Sequence, residues 1–574
     1  MKKISKEMKI KMWNCLRFLI VAFAISFFSL LPYHNDVMPF GHDLGYHLNR
    51  INEISNGLNI KTFPVLIHAG LLDNIGYANG LFYPQIFLYF PAVLISVFKV
   101  QLIPAYKVFM VLVTFVTFIS MYYSTKLIFK KKSVAWFATL LYVFSLWRIV
   151  DIFIRGALGE VMAFAFFPLI IAGLYNVIYE KDNKWYLITI GLWGLANTHV
   201  LSFLFMTVLI LILCVFSIDI IIKNKKVLLN LFIAAVVSVL VCIGFFGPML
   251  EQKFNDTFNV DGRTTISSEL LKNRSLSLRM ALSSRFSYGY AEESMNTQGG
   301  MTEGVGTIIY LFAGLIFFRK KLSLKENRFE IIMFVIGSLT FLCTTVIIPW
   351  EKLKFMNFIQ FPFRLNFIII LFLSMVGSNS LYEVLEESNR RSIMIIASLV
   401  FMIAQIYVLS GIDVNFDIAI KDYNDLTQTF DRQVGSAEYL PDGTIIWDLK
   451  LYNTNDKDNY IDFTQVGSTI EFEYDRDDID FEFNVPLVYY KGYVASITDK
   501  NGNVKQLECK EYDNKHVLIK SNERLTGKVR IEYKLTAIQK VSYVTSVISC
   551  IALLSYMCFV YIKDLKLRKN DGGC

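Results

Sequence analysis

The chain has 574 residues, 54% apolar and 18% charged, with 57 Lys and Arg against 49 Asp and Glu for a net charge of +8. Soluble domains carry roughly 25% charge, so this composition, with a mean hydropathy of +0.45, excludes a large soluble enzyme and points to the bilayer. The aromatic residues, 15% of the chain, lie in apolar runs and not among Lys and Arg, which argues against a nucleic-acid partner.

Residues 1–17 are basic and lead into an apolar run ending at Leu31 with no small-residue cleavage site after it, the pattern of an uncleaved first span. Runs near the ~20 residues needed to cross follow at 16–32, 106–128, 133–147, 161–179, 185–198, 201–222, 227–249, 303–318, 330–349, 365–382, 392–411 and 541–562, about twelve expected spans. A further apolar run, 81–98, is interrupted by Pro84 and Pro91. Counted as a span, it would place Lys130, Lys131 and Lys132 outside. Counted as a re-entrant or interfacial helix, it puts the basic clusters at 2–17, 126–132, 223–226, 319–328, 390–391 and 563–569 all inside, with both termini cytoplasmic. Irregular backbone at membrane depth has to border protein or a cavity, so this segment is expected beside a site.

The expected organisation is a transmembrane domain over 1–411 with an external loop at 33–104, an external β-rich domain over 412–540, and a last span with a basic cytoplasmic tail over 541–574. Shorter external loops lie at 148–160 and 251–300. The β-rich stretch alternates in Thr469-Ile-Glu-Phe-Glu-Tyr474, Asp480-Phe-Glu-Phe-Asn-Val485 and Lys528-Val-Arg-Ile-Glu-Tyr533, with turn signals at Pro441-Asp-Gly443 and Lys500-Asn-Gly-Asn503. A small antiparallel β-sandwich is expected there. Of eight Cys only Cys509 lies in a long polar stretch, so no disulfide framework can be drawn.

Four of the six His (His34, His42, His47, His68) fall in the first external loop, with Asp36, Asp43, Arg50, Glu53 and Asp73. In Gly41-His-Asp-Leu-Gly-Tyr-His-Leu-Asn-Arg50, Asp43, His47 and Arg50 are spaced to share one helix face. That face offers a general base beside an anion clamp. The alternative is an Asp43 N-cap with His47 and Arg50 as a solvated stripe. A divalent cation on His42, Asp43 and His47 has suitable ligand types but no recognised spacing. Arg148, Asp151 and Arg155 share a second face, with Glu160 after it: either an interfacial anchor with an internal ion pair and a helix-start acid, or two arginines that hold a phosphate. His199 in Asn197-Thr-His199 is read as a turn cap or a cavity group, and Arg364 in Gln360-Phe-Pro-Phe-Arg364 as a snorkelling residue or a further cation near a lipid phosphate. No Walker or dinucleotide fingerprint is present, so direct use of ATP is not expected.

A first span, a long external loop with an acidic residue near its start, an aromatic and Pro-rich re-entrant run and many further spans together resemble the GT-C class of integral membrane glycosyltransferases. More narrowly, Gly41-His-Asp43 with His47 and Arg50, Gly80-Leu-Phe-Tyr-Pro84, Arg155-Gly-Ala-Leu-Gly-Glu160, Gln360-Phe-Pro-Phe-Arg364, Gly435-Ser-Ala-Glu-Tyr-Leu-Pro441 and Pro486-Leu-Val-Tyr-Tyr-Lys-Gly-Tyr493 resemble YfhO-like bacterial membrane proteins. They equally resemble the related membrane family labelled "6-pyruvoyl-tetrahydropterin synthase related". The zinc-binding His set of pterin chemistry is not evident.

The resemblance implies sugar transfer from a polyprenyl-phosphate carrier to a teichoic acid or other wall polymer outside the bacterial cytoplasmic membrane. On that template Asp43 matches the catalytic carboxylate, and Arg155, Arg364 and Arg50 are candidates to hold the leaving phosphate, with His47, Glu160 and His199 beside them. The absence of a nucleotide site implies a separate carrier-loading glycosyltransferase and a flippase as partners. The rival readings are a transporter of lipid-linked sugars and a non-catalytic wall-assembly scaffold.

Overall fold

The computed structural model describes residues 6–34, 38–39, 41–263, 267–286, 301–411, 419–420, 434–435, 437–445, 461–475, 481–523 and 526–570; Asp36 lies outside them. Seven described helices are long and apolar enough to cross a membrane: Lys9–Phe28, Leu102–Phe129, Leu158–Ile178, Lys225–Asn255, Pro362–Val384, Arg390–Ser410 and Ala537–Lys563. Lys132–Val143 and Leu146–Arg155, bent by 42°, make an eighth if taken as one span.

Helix therefore occupies all twelve expected runs, but four fall short of a full crossing. Tyr186–Ala196 has 11 residues, Val200–Val215 and Arg328–Cys343 have 16 each, and Thr307–Gly314 continues only through the 3-10 turn Leu315–Phe318. At 1.5 Å per residue even the longest covers about 24 Å of a core about 30 Å thick. Local chemistry sets these ends. Thr344 and Thr345 hydroxyls bond the Phe341 and Leu342 carbonyls at 2.8 Å, closing Arg328–Cys343, and Gly306, at φ +89°, turns the chain into Thr307–Gly314. Run 81–98 is broken as its prolines demand, into Asn79–Phe82, the 3-10 turn Ile86–Leu88 and Tyr89–Ser96.

The chain divides into two compact units, one of residues 1–44, 106–236 and 265–425, the other of residues 45–105, 237–264 and 426–574. In the first, helix Asn366–Val384 is buried from Asn366 through Ser380. Small residues allow the close approach: a Cβ on Gly377 would sit 2.9 Å from the Ala313 nitrogen, and one on Gly337 2.8 Å from Leu373 Cδ2. At the far end of this helix Asn379 accepts from Lys131 at 3.1 Å and donates to Glu330 at 2.8 Å, Lys131 also pairs with Glu383, and Glu330 pairs with Arg319 at 2.7 Å. The short strands β1 (Met38–Pro39) and β2 (Ala419–Ile420) pair antiparallel in this unit.

The second unit holds strands β3 (Ile461–Val466), β4 (Thr469–Asp475), β5 (Phe481–Val488), β6 (Tyr493–Thr498), β7 (Val504–Glu511), β8 (His516–Ser521) and β9 (Thr526–Tyr533). They form one sheet in the order β3-β4-β9-β6-β7-β8-β5 with antiparallel neighbours. The expected strands are β4, β5 and β9, but the expected sandwich of two sheets is corrected to this single curved sheet. Its apolar side, with Ile470, Phe472, Ile497, Val529 and Ile531, is covered by the loop residues Leu66, Leu72, Ile75, Tyr77 and Phe82, by Phe258 and by Tyr439 and Leu440, so no second sheet is required. The opposite side carries cross-strand charges, with Glu471 opposite Arg530 and Glu473 opposite Lys528.

Candidate active site

The segment before Asp43 is laid directly on the turn that carries Arg155. The His42 N–H donates to the Ile154 carbonyl at 3.0 Å and the Asp43 N–H to the Arg155 carbonyl at 2.7 Å. Two glycines permit this crossing, since a Cβ on Gly41 would lie 2.8 Å from Gly156 Cα and one on Gly156 2.9 Å from Leu44 Cβ. Gly156 also takes φ +61°, a left-handed conformation that glycine adopts without strain. Tyr33 ties the same turn from the chain before Asp43, its hydroxyl donating to the Ile152 carbonyl at 2.9 Å.

Asp151–Arg155 forms a π-helical turn, a form frequent at functional sites. It brings Asp151 and Arg155 together: Arg155 donates through Nη1 to Asp151 Oδ1 and, at 2.7 Å, to Glu160 Oε2, and through Nη2 to Glu160 Oε1 at 3.0 Å. Arg364 donates from Nε to the same Glu160 Oε1 at 3.3 Å and from Nη1 to the Ile359 carbonyl and Gln360 Oε1 at 3.1 and 2.6 Å. Trp147 lies under Arg155 and Phe361 under Arg364, at 5.3 and 5.0 Å from guanidinium carbon to ring centre. Arg148, buried, donates to the Val143 carbonyl and to Thr114 Oγ1. Asp151 and Glu160 are thus paired with Arg155, and Glu160 also with Arg364, while Arg148 is held by a carbonyl and a hydroxyl; with Asp43 counted, three acids balance three arginines in formal charge.

Asp43 differs from the other two acids. Its side chain is exposed, and among the described residues no hydrogen bond or ion pair reaches its carboxylate. Surrounding protein atoms nevertheless desolvate it. Desolvation there holds its carboxyl above the usual carboxylate value, with Arg155 and Arg364 opposing and Glu160 adding to the rise. An open, unbonded carboxylate with a raised proton affinity suits a general base; Asp43 also stands immediately before helix Leu44–Asn59.

A narrow cleft runs to this cluster. Trp147, Phe164, Phe167, Phe205 and Phe367 wall it, and Asp151, Glu160, His199 and Arg364 supply its polar lining. It has room on the order of one water molecule. Asp151 is fully buried and its Oδ2 has no hydrogen-bond partner. His199 Nδ1 accepts the Ser202 N–H at 3.3 Å, capping helix Val200–Val215, so both readings of His199, cap and cleft residue, hold together.

His47 and Arg50 belong to the second unit, and neither forms the expected solvated stripe or clamp. Arg50 is 0% exposed. It donates to the Tyr83 and Pro84 carbonyls at 3.2 and 2.6 Å, lies 3.4 Å from His47 Nδ1 and stacks on Tyr83. Its guanidinium satisfies two backbone carbonyls between the short helical segments Asn79–Phe82 and Ile86–Leu88. Both carbonyl contacts anchor the guanidinium to the backbone at residues 83 and 84. Nearby, His68 bridges Asn79 and Gln85 at 3.3 and 3.1 Å, Asn79 accepts from Tyr46, and burial lowers the His68 pKa to about 3. Glu53, raised by burial, accepts from the Gly70 N–H and Asn56. Among the described residues no three His, Cys, Asp or Glu side chains converge to hold a metal ion, so the His42, Asp43, His47 set is not assembled.

Sequence spacing gave Asp151 no role beyond an ion pair and gave Trp147 none. The i, i+4 spacing of Asp151 and Arg155 signalled the pair, but only the π turn shows that one Asp151 oxygen is left over.

The model of a family of unknown function (DUF6541) matches residues 7–405, and the chain belongs to that family. No curated protein matches the sequence. Among solved structures, the chain is similar to the single-particle cryo-EM structure of the arabinofuranosyltransferase AftD from Mycobacteria, with a TM-score of 0.43 and 14% identity. The match covers 71% of this chain and 27% of the length of that protein.

Proposed function

We propose that this member of the DUF6541 family is a GT-C-type membrane glycosyltransferase that moves a sugar from a polyprenyl-phosphate carrier to an acceptor such as a teichoic acid or another wall polysaccharide. The observation that carries the reading is the Asp43 carboxylate, open and unbonded, fixed through its backbone against an arginine held by two acids. The narrower resemblance to YfhO-like proteins is part of the same proposal.

Asp43 takes the proton from the acceptor hydroxyl as its oxygen attacks the anomeric carbon. The bond from that carbon to the carrier phosphate breaks, and the electron pair leaves with the phosphate. Arg155 and Arg364 stabilise the charge that develops there. The anomeric centre acquires oxocarbenium character, and a single displacement inverts it. Proton removal by a placed base contributes about 10²–10⁴-fold. The site would lie on the outer face of a bacterial cytoplasmic membrane with both termini inside, the arrangement that the basic clusters of the sequence favour. Residues 1–411 would carry the chemistry, and 412–540 would handle the acceptor. A separate enzyme would load the carrier and a flippase would deliver it.

The gene is deleted in its host, and the wall polymers and carrier lipids are analysed. A transferase predicts loss of one sugar from the wall with accumulation of the sugar-loaded carrier, both reversed by wild type and neither by Asp43→Asn at matched abundance. Full restoration by Asp43→Asn would favour the transporter or scaffold readings.

A further inference from the structure

Arg155 and Arg364 converge on one carboxylate. Glu160 receives both Nη groups of Arg155, one on each oxygen, and Arg364 Nε shares Oε1. A fork on two oxygens with a second cation at one edge is the pattern by which guanidinium groups hold a phosphate. Both arginines also keep other partners. Arg155 retains Asp151, and Arg364 retains Gln360 and the Ile359 carbonyl. Their positions therefore do not depend on Glu160. The carboxylate borders the cleft, from which a ligand group could replace it, and His199 borders the same cleft with Nδ1 already accepting from Ser202.

We propose that Glu160 is the resting occupant of an anion site built by Arg155 and Arg364, and that a phosphate group binds by displacing it. The inference rests on the glycosyltransferase reading for the identity of the phosphate, that of a prenyl-linked donor, but not for the site itself. Displacement makes ground-state binding weak, because an incoming anion meets a cluster that is already neutral and must break a bidentate pair. Sugar-loaded carrier that has not yet reacted is then held loosely. The full strength of the two guanidiniums becomes available when the phosphate gains charge on leaving the sugar, so the same contact favours the transition state over the ground state.

The test titrates the full-length protein in detergent micelles with inorganic phosphate and, separately, with geranylgeranyl monophosphate, reading binding by thermal shift and tryptophan fluorescence. Glu160→Gln removes the competing charge while keeping the shape, and should bind at least about 10-fold more tightly than wild type. Adding Arg364→Gln should abolish that gain. In Glu160→Ala, acetate should raise the melting temperature and compete with phosphate, and it should do neither in wild type. Equal gains with both phosphates identify a site for the headgroup alone; a gain only with the prenyl form shows that the lipid contributes. If Glu160→Gln accumulates poorly, Glu160→Asp, whose shorter arm loosens the fork, should bind phosphate more tightly than wild type.

The proposal is overturned if Glu160→Gln, or Glu160→Asp where it replaces it, binds both phosphates no more tightly than wild type, or if acetate has no effect on Glu160→Ala. No acceptor is present and nothing turns over in this titration. Its failure therefore leaves the role of Asp43 to the sugar-transfer measurement, and failure of that measurement leaves the anion site standing.

Discussion

Gly156→Ala perturbs the crossing that sets Asp43 beside Arg155. The new Cβ would stand 2.9 Å from Leu44 Cβ, 3.0 Å from the Leu44 nitrogen and 3.2 Å from Gly41 Cα. Two of these contacts involve backbone, which cannot swing aside as a side chain can. A non-glycine residue at φ +61° adds about 1–2 kcal/mol of strain, and overpacking adds about 1–3 kcal/mol. The variant should therefore lose about 2–5 kcal/mol if the crossing stays shut. Relief comes from parting the two segments, which stretches the hydrogen bonds from His42 to Ile154 and from Asp43 to Arg155. A displacement of about 1 Å at a catalytic group costs on the order of 10²-fold in rate. The assay compares membrane abundance, melting temperature in detergent and sugar transfer at matched protein. Activity should fall well beyond abundance. Wild-type melting and transfer in Gly156→Ala would refute the claim that this glycine positions the base.

The remaining expectations follow from charge and burial. Asp43 acts deprotonated, so transfer should fall as pH drops through its raised pKa; Arg364→Gln removes an opposing charge and should move that limb to higher pH, whereas Glu160→Gln should move it lower, as a rate-against-pH profile would show. Arg50→Met leaves the Tyr83 and Pro84 carbonyls unpaired in a buried site and should destabilise the protein by roughly 2–4 kcal/mol, read as a lower melting temperature in detergent that phosphate does not restore. His68→Phe breaks the Asn79–His68–Gln85 chain and should lower stability most at neutral pH; the native ring stays neutral down to about 3 while the unfolded ring protonates near its ordinary value, so wild type loses stability as pH falls through the weakly acid range and the variant's deficit should shrink there, and a deficit that grows toward acid pH would contradict the assignment.

Much of the helical framework and three of the seven strands of the sheet were legible because periodicity and alternation report burial directly. Helix length was less legible. Thr344, Thr345, Gly306 and the Asn197-Thr-His199 turn shorten apolar runs that composition alone extends. The single sheet was hidden because alternation tells which face of a strand is apolar and not what covers it. Here the cover comes from residues 66–82, far away in sequence.

At the site, Asp43, Arg155, Glu160 and Arg364 were legible as ionisable groups at the ends of apolar runs, and the structure gathers all four in one unit. The burial of Arg50 and its contacts with the Tyr83 and Pro84 carbonyls were not legible, because a helix face shared with Asp43 says nothing about the loop that closes over it. Glu160 as the occupant of an arginine pair, and the leftover oxygen of Asp151, depend on a π turn that no residue spacing signals.

The most direct test of the central claim uses detergent-solubilised protein, carrier lipid extracted from the deletion strain and wall polymer from the same cells. With no membrane to cross, only chemistry can move the sugar. Wild type should transfer it, and Asp43→Asn, equally folded by melting temperature, should be slower by about 10²-fold or more. Transfer by Asp43→Asn at the wild-type rate, or no transfer by wild type while the intact cell depends on the gene, would contradict the account.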